Sequence, residues 1–464
     1  MNNQQQRIGY LPDECPPLWK LILYAIQQVI VMFPATVAVA IITGFHISTT
    51  IFASGFATLC FLLVTKRQIP LYYGSSFSYV AAISALMASE ALAGYGLNDK
   101  IAIAQFGIVM SGFVSIIAGI IVNRFGRESI EKVLPASITG PIAIVIGLTL
   151  AANAMQDAAS IAIDASGTLA VAESQAAFAT NMAWIVSLVT LLATILFSVF
   201  LKGFWGQLPL LLGPAVGCLA AFLIRAITGV DLFKVLPETA NSGIFALPIF
   251  TLPKPSWMAV AAIMPIAIAT IPESTAHIYQ LDVYVNDLAK KKGKKTYALA
   301  DKLGLNLIGD GIGDIVSGMI GGPAGTNYGE NISAMAITKV FSVPVLIAAS
   351  LIAMIISCFT PLVNTIYSIP TAVIGGLEIY LFGAIAAQGI AIMMEKKVDM
   401  FSAKDIAVIS TILIIGIGGQ YAFGGNIPFF GLEVPTVAGA AIFGILLNLV
   451  LSIAKKEQQA SSAE

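Results

Sequence analysis

Residues 134–155, 184–201 and 343–358 of this chain contain no charged residue at all. About 20 apolar residues cross the hydrocarbon core of a bilayer, and only helices or closed barrels satisfy their backbone groups there. Runs this long rule out strand-sized barrel segments and point to spanning helices. The rest of the chain agrees with them: 58% of the 464 residues are hydrophobic and 11% are charged, a balance outside the range of soluble domains.

The pattern predicts an all-α polytopic membrane protein with about fourteen spans. They fall near residues 18–37, 42–64, 77–93, 101–122, 134–154, 181–201, 207–227, 257–286, 298–320, 331–342, 343–362, 368–394, 404–422 and 434–453. The polar start, Asn2 to Arg7, offers no removable signal, so the first helix is expected to direct insertion. With that end inside, the inner turns collect Lys66, Arg67, Arg124, Arg127, Lys132, Lys202, Lys290 to Lys295, Lys339, Lys396, Lys397 and Lys455. The outer loops hold Lys100, Lys234, Lys254 and Arg225. This asymmetry places both termini, segments 1–17 and 454–464, in the cytoplasm and the chain in the cell's inner membrane. The lysine cluster lies in a loop too short for a nucleic-acid domain and reads as an orientation signal.

Three short matches recur in the same order along the two halves. Pro17-Leu18-Trp19 corresponds to Pro255-Ser256-Trp257, Tyr73-Gly74-Ser75-Ser76-Phe77-Ser78 to Tyr328-Gly329-Glu330-Asn331-Ile332-Ser333, and Pro135-Ala136-Ser137-Ile138-Thr139-Gly140 to Pro370-Thr371-Ala372-Val373-Ile374-Gly375. An odd number of spans per half makes this an inverted repeat. In the second match, extended segments at 69–73 and 321–328 lead through a glycine turn into helices too short to cross alone. Such breaks are tolerated at membrane depth only where they line a cavity, and their N-termini aim free N–H groups at a common point.

Ionisable residues inside spans mark function. Glu273 and His277 lie one turn apart on the eighth span, beside Pro272, and Glu330 starts the second broken helix. An ionised carboxylate accepts hydrogen bonds and a protonated one also donates, so this pair suits a ring edge that alternates N–H and C=O. Burial favours the protonated form, which supplies a coupling mechanism. Asp310 and Asp314 sit in the ninth span; Glu378, in the twelfth, reads as structural, interfacial or gating, and His46 as an outer-edge residue.

Other chemistries lack their parts. Gly311-Ile312-Gly313-Asp314 fits the GxGD pattern of intramembrane proteases, yet the Tyr-Asp pair that chemistry needs is absent. The sequence holds no Gly-Lys-Ser/Thr phosphate loop, and Cys15, Cys60, Cys218 and Cys358 have no metal-ligand spacing. No enzyme activity, cofactor, metal or nucleic-acid partner is expected.

The segment Glu330-Asn331-Ile332-Ser333-Ala334-Met335-Ala336-Ile337-Thr338-Lys339 follows the signature of the nucleobase-ascorbate transporter family, also called nucleobase:cation symporter 2. The chain resembles that family from Gln27 to the end of the twelfth span, most strongly across Gly309 to Thr338, and within it the bacterial branch that carries uracil. The resemblance implies fourteen spans in two domains, with short antiparallel strands before the third and tenth helices. Core helices would occupy 18–122, 257–342 and 343–362; gate helices 134–227 and 368–453. It implies homodimers working by elevator-like alternating access. It assigns uracil contacts to Glu273, Glu330, Phe77 and Gly329, flanked by Ser76 and Asn331, and places His277 and Gln28 with Glu273 and Glu330 in proton coupling. The family's common Gln-His pair is Gln27-Gln28 here, and its signature glycine is Ser333. Purine carriage within the family, sodium coupling, and anion transport on the related fold stay open as alternatives.

Overall fold

The computed structural model describes residues 9–126, 128, 133–161, 175–203, 205–236, 243–430 and 432–461. Arg127 and Lys132 of the charge pattern, with residues 1–8 and 462–464 of the two tails, lie outside the described residues. Eleven helices among the described residues are long and apolar enough to cross a membrane. They are α1 (Leu18–Thr43), α2 (Ile47–Val64), α4 (Leu97–Phe125), α5 (Ala136–Ala158), α6 (Ala176–Phe200), α7 (Pro209–Thr228), α8 (Trp257–Lys291), α9 (Ala300–Ile320), α12 (Thr371–Glu395), α13 (Ala403–Phe423) and α14 (Thr436–Ile453). The expected third, tenth and eleventh spans are shorter helices: α3 (Phe77–Ala88), α10 (Gly329–Thr338) and α11 (Val343–Ile356). Left-handed glycines stop several elements, with Gly44 ending α1, Gly229 ending α7 and Gly321 ending α9.

Two short strands interrupt this helical fold. β1 (Tyr73–Ser75) precedes α3, and β2 (Gly325–Asn327) precedes α10. They pair antiparallel, Tyr73 with Asn327, Gly74 with Thr326 and Ser75 with Gly325, and all six residues are buried. A second hairpin, β3 (Asn426–Phe429) and β4 (Leu432–Pro435), joins α13 to α14.

Lipid tails are as apolar as leucine, so helix association in a bilayer depends on close backbone approach. Here α4 and α9 meet through glycines two turns apart on each helix. A Cβ at Gly112 would lie 2.5 Å from the Gly311 carbonyl oxygen, and one at Gly311 would lie 2.4 Å from the Gly112 oxygen. Gly119 and Gly304 repeat the contact at 2.5 and 2.7 Å. In the other pair, α5 and α12, Gly140 and Gly389 do the same at 2.8 and 2.4 Å. By contrast, only 28% of the apolar window of α6 and 17% of that of α7 is buried, which leaves these helices facing lipid.

The segment before α1 is fastened to the far ends of α8 and α10. Tyr10 bridges Val340, with Tyr10 N–H donating to Lys339 O at 2.8 Å and Phe341 N–H to Tyr10 O at 2.8 Å. Beside this bridge the Lys292 ammonium reaches Glu14 Oε2 at 2.6 Å and the Gly9 carbonyl at 2.8 Å, while Lys294 reaches Glu14 Oε1 at 2.9 Å. Burial pushes the Glu14 carboxyl up, but hydrogen bonds from Lys292, the Leu11 backbone and Lys294 outweigh burial and hold it below its ordinary value.

Two outcomes follow from this packing. Gly311→Leu forces α4 from α9 and should cost at least the roughly 1–3 kcal/mol of an overpacked contact; Gly383→Ala, where a Cβ meets nothing within 4 Å, should cost little. Thermal unfolding of the detergent-purified protein compares the two. Because the Glu14 carboxyl is held low, its stabilisation is present at neutral pH and is lost as the pH falls through its folded value. The melting temperature of the native chain should therefore exceed that of Glu14→Gln at neutral pH and converge with it in acid.

Candidate functional site

The β1–β2 pairing brings the starts of two helices together. Ser76 N–H donates to Ala324 O at 3.0 Å and Tyr328 N–H to Tyr72 O at 2.9 Å, which extends the pairing at both ends. From there α3 and α10 leave in opposite directions, so their unsatisfied N–H groups and positive dipole ends gather beside the strands. Close approach requires glycine at Gly74, where a Cβ would sit 2.3 Å from the Tyr328 ring. The Tyr328 hydroxyl lies 3.0 Å from Thr36 Oγ1 and donates to Ser75 O at 3.0 Å, fastening α1 to the strands.

A lock beneath the strands comes from α9. Asp314 Oδ1 accepts from the Tyr73 hydroxyl at 2.5 Å and from Gly325 N–H at 2.8 Å, so one carboxyl oxygen holds both strands. Next to it Asp310 Oδ2 accepts from the Ser274 hydroxyl. Asn306 Nδ2 donates to Ser274 Oγ at 2.7 Å, and Asn327 Nδ2 donates to Asn306 Oδ1 at 3.2 Å. All of these side chains are buried, and together they join α8, α9 and β2 immediately behind Glu273.

Helix α8 changes course on its way to the site, with a 3₁₀ turn at Met264–Ile266 around Pro265 and then Pro272 within the next helical stretch. Pro272 has no N–H, so a backbone carbonyl is released just ahead of Glu273. Glu273 accepts from Ser78 Oγ of α3 at 3.3 Å and lies close enough to Glu330 for the two carboxyls to interact electrostatically. Glu330 occupies the first turn of α10, where the dipole favours negative charge. His277 places Nε2 2.9 Å from the position a Cβ would take on Gly329, so the imidazole lies against the start of α10. Its Nδ1 is buried and makes no hydrogen bond of ordinary geometry, and the ring also lies beside the Asn327 backbone.

Burial divides the expected site residues into two groups. Phe77, Glu273, His277, Gly329 and Glu330, with Ser78, are half-buried, so each keeps some accessible surface. Ser76, Asn331 and Gln28 are fully buried behind them. Ser76 caps the first turn of α3 by accepting from Ser78 N–H at 3.2 Å. Asn331 Nδ2 donates to Gln28 O at 3.0 Å and to Gln28 Oε1 at 2.8 Å, tying α10 to α1. His46 stands apart at the start of α2, its Nε2 2.6 Å from Asn98 Oδ1. Sequence reasoning missed Ser78 as the partner of Glu273, although its place beside Phe77 in the repeated block could have suggested it.

The arrangement brings two carboxyls, two helix N-termini and an aromatic ring to the paired strands. It suits a small, flat, neutral molecule that both donates and accepts hydrogen bonds. Removing the lock gives a direct check: Asp314→Ala strands the Tyr73 hydroxyl and Gly325 N–H and should cost about 1–3 kcal/mol per unsatisfied group. A lowered melting temperature is the expected readout.

A family model described as "Permease family" matches residues 19–425. The chain is 35% identical over 443 residues to a uracil permease of Bacillus caldolyticus, covering 94% of this chain and 93% of that one. It is 32% identical over 471 residues to the uracil permease of Bacillus subtilis (strain 168), covering 100% and 99%. Among solved structures it resembles the transmembrane domain of a cyanobacterium bicarbonate transporter, BicA, with a TM-score of 0.58 at 14% identity, covering 94% of this chain and 98% of that one. That likeness concerns the fold.

Proposed function

This chain belongs to that permease family, the nucleobase-ascorbate transporters, and from that membership we propose that it carries a nucleobase, uracil before others, into the cell together with a proton. It is a multi-pass membrane permease, and the lysine distribution supports an inner-membrane location with both ends cytoplasmic. The observation that carries the substrate reading is the placement of Glu273, hydrogen-bonded to Ser78 of α3, and of Glu330, in the first turn of α10, at helix starts that the strands pair.

Uracil presents N–H and C=O groups in alternation around its ring. Glu330, at the dipole-favoured end of α10, holds a negative charge and accepts from a ring N–H, while Glu273 meets the adjoining edge. The Gly329 backbone, bare of a side chain, lets the ring come close, and Phe77 closes over the ring and contributes its backbone. Ser76 and Asn331 hold the two helix starts in place, and Gln28 anchors Asn331. Two carboxylates that interact in a low-dielectric interior repel each other, so one of them takes up a proton as the substrate enters. His277, packed on Gly329, supports that exchange.

The helices bearing the clamp, α1 to α4 and α8 to α11, form the core that moves against a gate of α5 to α7 and α12 to α14. This is elevator-like alternating access, carried out in a homodimer. The bicarbonate transporter's fold also admits an anion as cargo. Two carboxyls at the clamp oppose that reading, because they repel the anion that the helix ends attract.

Glu330→Gln and Glu273→Ala remove charge-assisted hydrogen bonds worth about 1.5–3 kcal/mol, so uracil affinity should fall roughly tenfold to a hundredfold. Calorimetry on the purified variants and uptake of labelled uracil provide the measurements; wild-type accumulation by both variants would remove the clamp from the mechanism. Collapsing the proton gradient with sodium retained should abolish accumulation, whereas uptake that survives assigns coupling to sodium. Competition by xanthine or urate stronger than by uracil would transfer the specificity to purines.

A further inference from the structure

Glu378 lies on α12, away from the Glu273–Glu330 clamp, and its side chain has no exposed surface. Neither of its carboxyl oxygens completes a hydrogen bond of ordinary geometry. A buried acceptor left in that condition costs about 1–3 kcal/mol, and an isolated buried charge costs more. One turn earlier on the same face, a Cβ at Gly375 would lie 2.1 Å from Ala158 N and 2.5 Å from Asp157 C, so α12 closes directly onto the last turn of α5. That contact sets the Asp157 carboxyl beside the Glu378 carboxyl.

Lys234 completes the cluster. Its backbone N–H donates to Ser368 O at 3.1 Å, which holds its loop against the segment leading into α12. Its ammonium is pushed down by burial and drawn back up by both Asp157 and Glu378. Among the described residues, α6 contributes no charge to this region, and Arg225 of α7 is engaged by Asp231 at 3.2 Å. Among the described residues, two carboxylates and one ammonium leave a single excess negative charge in a largely buried setting. One proton neutralises it and also provides the donor that the Glu378 oxygens lack. A sodium ion would need several more oxygen ligands and would have to sit beside the Lys234 ammonium, which repels it.

We propose that Asp157 and Glu378 form a second proton-binding site, outside the substrate clamp, in which one proton is shared between the two carboxyls beside Lys234. Loss of that proton leaves two negative charges pressed together between α5 and α12. The strain falls where α12 meets the substrate-bearing helices, since the neighbouring Leu377, Leu381 and Phe382 pack with Ala38 and Val39 of α1 and Val80 of α3. The protonation state of the pair thus sets the fit of α12 against α1 and α3 independently of the charge on the clamp.

Infrared titration of the purified full-length protein tests the site without relying on transport or on the identity of the substrate. The wild-type protein should show a protonated-carboxyl C=O band that disappears with rising pH. Glu378→Gln and Asp157→Asn should each lose that band, and a Glu273→Gln, Glu330→Gln double variant should keep it. From the ordinary carboxyl range up to the titration point of the pair the native folding equilibrium should weaken about tenfold per pH unit and then level off, and Glu378→Gln should be flat over the same range. If Glu378→Gln does not fold, Glu378→Met and Asp157→Asn supply the same comparison. A band retained in the Glu378 and Asp157 variants overturns the proposal. So does stabilisation by sodium chloride over choline chloride that the Glu378 substitution abolishes, since that outcome identifies a cation site.

Discussion

The pairing of Tyr73–Ser75 with Gly325–Asn327 is the constraint on which the rest of the molecule depends. Extended backbone inside an apolar fold must find every hydrogen bond from protein, and this pair does so with little help from sequence length. Strand–strand bonds satisfy the facing edges, the Asp314 carboxyl takes Gly325 N–H, and Thr58 Oγ1 donates to Tyr73 O at 2.9 Å while accepting from Tyr73 N–H at 3.0 Å. Once the crossing is satisfied, the starts of α3 and α10 are fixed relative to each other. The polar ends that would be a liability in lipid then become the walls of a binding site.

The glycine contacts serve the same arrangement at longer range. Asp310 and Asp314 sit on α9, whose position relative to α4 is set by the Gly112–Gly311 and Gly119–Gly304 approaches. A helix held this closely cannot slide by half a turn without carrying the Asp314 lock away from both strands. The N-terminal strap acts at the other end of α10 and α8, joining the elements that carry Glu330 and Glu273 through Val340 and Lys292. Each clamp carboxyl therefore rides on a helix restrained both at the site and far from it.

Much of this was legible in the residues themselves. Apolar runs located the long helices, with ends misplaced by up to about six residues, while the short helix Thr360–Tyr367 was merged into the eleventh span. The repeated Tyr-Gly blocks marked the two strands and the short helices after them, since glycine there permits the approach of Gly74 to Tyr328. The carboxylates Glu273 and Glu330 stood out because charge is scarce in such segments. Side chains whose significance is a contact were not legible in the same way. Ser78 looks like any small polar residue until α8 presents Glu273 to it, and Ser76 and Asn331 read as equal candidates for the open space until burial places both behind it. Asp314 matched only the protease-like Gly-x-Gly-Asp run, and its use is apparent only with Tyr73 and Gly325 in view.

By itself, then, the sequence determined that the chain crosses a membrane many times, roughly where its long helices lie, that the third and tenth are short, and which acids lie within them. These are local consequences of transfer free energy, backbone hydrogen bonding and the conformational range of glycine. The Glu273–Glu330 pair was expected from the repeat, but only the tertiary structure decided how the other acids are used. Asp314 takes the strand crossing and Asp157 finds Glu378, across intervals of sequence that no local rule relates. The physical reason is that a buried charge is defined by its neighbours, and in a helical membrane protein those neighbours are supplied by packing between distant segments.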